Sequence, residues 1–180
     1  MDLKSKIILI SGPTASGKSK AALKIAKKLN GEIINADSMQ VYKELKILTA
    51  RPSKTDLNKI DHHLYGFRSV KKEFSSGEWL KLAKKNIKKI RDKNKIPVLV
   101  GGTGLYFKAL TDGLVKIPKI PISVRDKIRR MQNKLGQKKF YLKLLKNDSL
   151  VKNRIDPTDL QRSIRAVSYT HLTLPTKVYV

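Results

Sequence analysis

Eight residues near the N-terminus, Gly12-Pro13-Thr14-Ala15-Ser16-Gly17-Lys18-Ser19, form the pattern G-x-x-x-x-G-K-S. Such a loop aims successive backbone N–H groups into a concavity at the positive end of a helix, and the lysine adds a full charge. It suits a pyrophosphate or the phosphates of a nucleotide, and the Ser19 hydroxyl can be offered to Mg2+. The pattern does not say what becomes of the phosphate. In the usual nucleotide hydrolases and kinases a second strand ends in an Asp that helps hold Mg2+. Here the strand Val98-Leu99-Val100 runs into Gly101-Gly102-Thr103-Gly104, without an acid, and the carboxylate lies elsewhere, at Asp37.

The elements that must position these groups are readable from the apolar pattern. Lys6 to Ser11, with Ile7-Ile8-Leu9-Ile10, reads as a buried strand. From Lys18 the period becomes helical, with Ala21, Ala22, Ile25, Ala26 and Leu29 in one stripe and Asn30-Gly31 as the stop. Glu32 to Ala36 is a second strand ending at Asp37-Ser38. Strand, helix and strand at this spacing make a βαβ unit and a parallel sheet. The carboxyl ends of neighbouring parallel strands open onto one crevice, so Asp37, Thr103 and the P-loop are expected to converge. An Asp at a strand end has a plainer use, capping the element that follows, and the sequence leaves both open.

Farther along, 54–77 is polar and irregular, with no element assigned. Glu78 to Lys93 is an amphipathic helix burying Trp79, Leu82, Ala83, Ile87 and Ile90, and Ile96 to Val100 is another buried strand. A helix follows from Leu105 to about Asp112-Gly113. Ile117-Pro118-Lys119-Ile120-Pro121 is a stiff linker, and basic helices come next, at Ser123–Leu135 and Lys138–Lys146. A third starts with Asp156 as N-cap and Pro157 in the first turn. The fold class is thus α/β: a P-loop NTPase-like parallel sheet flanked by helices over 1–114, then an incomplete all-helical domain over 115–166. His62-His63 reads as structural, since adjacent histidines rarely point at one ion, and Tyr106 and Phe107 read as core.

Composition bounds the partners. Forty Lys and Arg against 14 Asp and Glu give a net charge of +26 in 180 residues, a field that draws in polyanions. A lysine-rich surface alone accounts for part of this; the size of the imbalance favours a nucleic-acid partner. There is no cysteine, which excludes disulfides and thiolate metal sites. No apolar run approaches the ~18 residues of a membrane helix, so cytoplasmic residence is expected as the default, and a monomer.

These blocks together resemble one family. Gly12–Ser19, Asn35-Ala-Asp-Ser-Met-Gln-Val-Tyr42, Thr49-Ala-Arg-Pro52 and Val100-Gly-Gly-Thr-Gly-Leu-Tyr-Phe107 match the tRNA dimethylallyltransferases in order and spacing, and Asp156-Pro157 with Gln161–Arg165 resembles a later block. The resemblance runs from about Lys6 to Ala166. It implies transfer of a dimethylallyl group from dimethylallyl pyrophosphate to N6 of adenine 37 in the anticodon loop of tRNA, with release of pyrophosphate. By the same match, Gly12, Pro13, Thr14, Ala15, Ser16, Gly17, Lys18 and Ser19 hold the leaving pyrophosphate, with Mg2+ at Ser19. Asp37 orients the exocyclic amine and takes its proton, and Thr103 helps to fix the reacting partners. Asp37, Ser38, Met39, Gln40, Arg125, Gln161, Arg162, Ser163, Ile164 and Arg165 correspond to positions that touch the tRNA, whose anticodon stem the basic helices hold.

The resemblance stops after Ala166. Val167 to Val180 lacks the family pattern, breaks the helical period and carries few charges, so a foreign or unstructured tail and a weakly active, truncated copy are expected. Three other readings stand beside the transferase: a P-loop small-molecule or nucleotide kinase, an adenylate isopentenyltransferase acting on free nucleotide, and a non-catalytic RNA-binding fragment. No lid for a kinase is visible, and the charge with the Gln161–Arg165 block favours tRNA over free nucleotide.

Overall fold

A computed structural model describes residues 6–114 and 120–170. The chain divides into two units, Met1–Val115 and Lys116–Val180. In the first, β1 (Ile8–Ser11), α1 (Lys18–Lys28), β2 (Gly31–Asn35), α2 (Lys54–Leu57), β3 (His62–His63), α3 (Ser76–Asp92), β4 (Ile96–Gly101) and α4 (Gly104–Thr111) follow in chain order. The strands form one parallel sheet in the order β1-β4-β2-β3. Leu99 of β4 lies between Leu9 of β1 and Ile34 of β2.

The sheet is covered on both faces, which is why β4 has no polar alternation: all six of its residues are buried. Ile34 and Leu99 pack with Trp79, Ala83, Ile87 and Ile90 of α3 and with Tyr106. Ile33, Val98 and Val100 pack with Ala22 and Ala26 of α1. Asn30 and Asn94, both at positive φ, turn the chain from α1 into β2 and from α3 into β4.

Two expectations change here. The run Lys6–Ser11 is a shorter strand at the sheet's edge, and Leu9 is 40% exposed. An all-apolar run signals two covered faces, but on β1 Ile8 and Ile10 pack on the core beneath α1 while Leu9, on the other face, is left partly open. The segment left without an element contains α2 and β3. The two-residue β3 exists because it pairs with Ile33 and Ile34 of β2, and such a short element has no period to read.

The second unit holds α5 (Ile122–Asn147), a 3-10 turn at Ser149–Asn153 and α6 (Leu160–Thr170). Gly136, at φ 72° and ψ 161°, breaks α5 into two arms near the gap expected between two helices. Ile128, Phe140, Tyr141, Leu144, Val151, Ile155 and Val167 form its core. Asp156 is not the N-cap of α6. Its Oδ1 accepts from the Thr158 N–H and closes a turn, and Asp159 Oδ1 caps the helix from the Arg162 N–H at 2.9 Å. Both positions carry the side chain a cap needs, and the one next to the helical run is used. The helix continues past Ala166 to Thr170 and buries Val167 and Ser168. Residues 171–180 of the supposed tail, and the linker residues 117–119, lie outside the described residues. No helix among the described residues is long and apolar enough to cross a membrane.

Candidate active site

The loop after β1 folds as its residue types require. Ala15 and Gly17 take positive φ, 64° and 77°, and Ser16 N–H donates back to the Pro13 carbonyl at 3.4 Å. Gly17 stands at the N-cap of α1, where no side chain caps the helix and no acid occupies the first turn. The positive end of α1 is therefore left for an anion. Lys18 Nζ donates to the Pro13 carbonyl at 2.7 Å, which folds the lysine over the loop. Ser19 is exposed in the first turn of α1.

β4 lies between β1 and β2, so its carboxyl end separates the loop from Asp37. Glycines make that separation narrow. A Cβ on Gly101 would lie 2.1 Å from the carbonyl carbon and oxygen of Ala36, a clash with backbone. A Cβ on Gly102 would stand 3.5 Å from Gly12 O and 3.7 Å from Asp37 Oδ2. One point beside Gly102 is thus within van der Waals contact of both the first residue of the anion loop and the Asp37 carboxylate.

Asp37 divides its two oxygens. Oδ1 accepts from the backbone N–H groups of Met39 at 2.8 Å and Gln40 at 3.4 Å, the capping use that the sequence left open. Oδ2 lies beside Gly102. The backbone beneath is held by Asn35, which is fully buried. Its Nδ2 donates to the carbonyls of Asp37 at 2.9 Å and Leu64 at 3.0 Å, and its Oδ1 accepts from Asp37 N–H at 3.0 Å. Trp79 Nε1 donates to the Asn35 carbonyl at 2.9 Å, and the Trp79 ring stacks on Tyr106 with centroids 4.3 Å apart. Burial pushes the Tyr106 hydroxyl up to about 12, with Tyr42 and Asp37 adding to the shift, and burial likewise raises Tyr65, with Asp37 second. Both phenols stay neutral near Asp37 at ordinary pH.

Thr103, expected to hold the reacting partners, is engaged with Ser38. Its Oγ1 accepts from Ser38 N–H at 2.9 Å and donates to Ser38 Oγ at 3.3 Å. It ties the ends of β2 and β4 together. Sequence reasoning passed over Asn35 and Gly102; a polar residue closing a buried strand was the signal for the first. The P-loop, Asp37, Ser38 and Thr103 come together in the first unit. Of the other expected RNA contacts, Met39 and Gln40 follow Asp37, and Arg125, Gln161, Arg162 and Arg165 are exposed on α5 and α6 of the second unit. Ser163 is buried and donates to the Asp159 carbonyl, and Ile164 packs on that unit's core. Two cavities, of about 270 and 440 Å3, lie away from the loop, one lined by Lys27, Lys59 and Asp61, the other by Ile7, Ile87 and Leu110. Neither brings an anion cradle beside a carboxylate.

Known proteins resemble this chain. The chain is 63% identical over 177 residues to a tRNA dimethylallyltransferase of Pelagibacter ubique, covering 97% of this chain and 56% of that protein. It is 46% identical to that of Allorhizobium ampelinum, covering 92% of this chain and 55% of the relative. The chain spans about half the length of the curated relatives it matches. Among solved structures, a eukaryotic dimethylallyltransferase described as acting on tRNA matches with TM-score 0.72 and 31% identity, over 88% of this chain and 40% of that one. The full-length tRNA isopentenylpyrophosphate transferase of Bacillus halodurans matches with TM-score 0.61 and 35% identity, over 93% and 56%. The IPP transferase family model matches residues 40–178, most of the chain and including Val167 and Ser168, and the chain belongs to that family.

Proposed function

We propose that this chain carries the reaction centre of a tRNA dimethylallyltransferase. The N6 amine of adenine 37 attacks the allylic carbon of dimethylallyl pyrophosphate. The carbon–oxygen bond breaks with its electrons going to pyrophosphate, and the N6 proton passes to Asp37 Oδ2. The observation that carries this reading is the closeness of the anion loop and a carboxylate oxygen, both within 3.5–3.7 Å of where a Cβ on Gly102 would stand. The loop amides, the α1 terminus and Lys18 stabilise charge that grows on the leaving group, and Asp37 orients a weakly nucleophilic amine and accepts its proton. A kinase would use the same loop, but no feature of the Asp37 side favours one.

Mg2+ takes hard oxygen ligands and is commonly shared with substrate phosphates. Among the described residues no cluster of three His, Asp or Glu could hold a metal. The Ser19 hydroxyl with diphosphate oxygens fits such an ion, which would neutralise charge on the leaving group. Arg125, Gln161, Arg162 and Arg165 of the second unit would meet the tRNA, with the α5 lysines and arginines on its phosphates. The working place is the cytoplasm, and the chain a monomer.

The test is incubation of the chain with labelled dimethylallyl pyrophosphate and tRNA, AMP or ATP, beside direct measurement of pyrophosphate binding. Label is expected on tRNA alone; ATP turnover without prenyl donor would mean a kinase. Asp37→Ala is expected to lower transfer by 100-fold or more, on the order expected for a lost general base, and to leave pyrophosphate binding intact. Lys18→Ala is expected to weaken that binding. Normal transfer by Asp37→Ala would end its role as base.

A further inference from the structure

Beyond Asp37 the chain makes a tight turn whose tip is unusual. Ile47 is 94% exposed and Leu48 is 82% exposed, and Met39 nearby in sequence is 48% exposed. Floppy tips often shed such side chains into solvent, but this one is knit. Thr49 N–H and Oγ1 both donate to the Leu45 carbonyl, at 3.1 and 2.6 Å, Ala50 N–H donates to the Ile47 carbonyl at 3.1 Å, and Arg51 donates to the Lys43 carbonyl at 3.0 Å. Gln40 then ties the turn to the reaction centre. Its backbone N–H donates to Asp37 Oδ1, and its Nε2 donates to the Thr49 carbonyl at 2.8 Å. Two large apolar side chains thus stand out from a hydrogen-bonded turn that Gln40 links to Asp37.

The surroundings indicate the occupant. Lys43 and Lys46, both exposed, flank the pair, against the single acid Glu44, whose carboxylate accepts from Val70 N–H. Apolar side chains beside cations call for a partner that offers apolar faces along a line of negative charge. They fit the faces of unstacked bases on a phosphate backbone, where apolar wedges and basic side chains recur together. A protruding tip also encloses no small ligand. Building on the transferase reading above, we propose that Ile47 and Leu48 form an apolar wedge that packs against the RNA-loop bases flanking the target adenine and holds that base out of its stack.

The experiment uses the chain and a synthetic anticodon stem–loop RNA with a fluorescent adenine analogue beside the target base. Affinity is measured across a salt series, with pyrophosphate binding in parallel. Ile47→Gln/Leu48→Gln keeps side-chain size and removes the apolar surface. It is expected to weaken RNA binding about tenfold or more, by the usual worth of contacts to an unstacked base. The fluorescence rise on unstacking should be lost, while the salt slope and pyrophosphate binding stay unchanged. Lys46→Gln should instead lower the salt slope. Wild-type affinity and fluorescence in the double variant would overturn the wedge. So would self-association of the chain that the double variant abolishes, which would make the tip a contact between copies. A wild-type chain that binds pyrophosphate and not the RNA would remove the tRNA reading itself, and the wedge with it.

Discussion

At Gly101 a single hydrogen atom decides whether the cleft exists. The glycine has ordinary backbone angles, so conformational freedom is not what holds it there. Its requirement is space, because the Ala36 carbonyl occupies the place of a Cβ. Gly101→Ala must push β4 from the end of β2, and with it the Ala36–Val100 and Thr103–Ala36 hydrogen bonds. A loss of about 1–3 kcal/mol in chemical denaturation is expected, the range for overpacking a tight site. Pyrophosphate affinity should fall with it, since Gly102 and Gly12 move apart; unchanged stability and affinity would refute the contact. Asp37 and the P-loop were legible because a carboxylate and a G-x-x-x-x-G-K-S loop, each directly after an apolar strand, are patterns a local stretch of sequence displays. Gly101 and Gly102 were legible only as the end of a strand. What they do depends on a neighbour 65 residues away in the chain, which no local pattern encodes.

At the scale of elements, α3 links packing to the site. Ser75 Oγ accepts from the Glu78 N–H while Glu78 Oε2 accepts from Ser75 N–H, a reciprocal cap that fixes where the helix starts. One turn in, Trp79 is fully buried and donates to the Asn35 carbonyl beneath Asp37. Ser75→Ala should cost about 1 kcal/mol, the usual worth of such a cap, read as a lower denaturation midpoint at unchanged slope. Glu78→Ala should cost less, since the Ser75 hydroxyl still caps. The apolar stripe of α3 was visible in the sequence, but its start was placed at Glu78, two residues late, because the stripe begins there and the cap precedes it. The S-x-x-E pattern was the available signal. At the other extreme, β3 left no local trace, for its two residues are strand only through their partners on β2.

Across the whole molecule the dominant fact is +26 charge, and one acid is placed where that charge serves folding. Glu32 is fully buried at the start of β2 and accepts hydrogen bonds from His63 at 2.7 Å, Lys95 at 2.8 Å and Lys93 at 3.0 Å. It joins β2, β3 and the turn into β4. Burial alone raises its pKa, but the bonds from Lys95, His63 and Lys93 outweigh burial and bring it from 4.5 down to about 2. A carboxyl with a lowered folded pKa contributes stability that is fully present above 4.5 and is lost as pH falls from there toward 2. That shift corresponds to about 3 kcal/mol at neutral pH, at roughly 1.4 kcal/mol per pH unit. Glu32→Gln should therefore be less stable than wild type at pH 7, and the difference should shrink through pH 4 and nearly vanish near pH 2. Self-repulsion of a strongly basic chain also grows on acidification, but salt screens it, whereas a buried pair is screened far less. Urea unfolding of both proteins at low and high salt separates the two. A gap between wild type and Glu32→Gln that stays constant with pH would show that Glu32 acts by shape alone, and a gap that collapses in high salt at pH 7 would show that it acts through the general field.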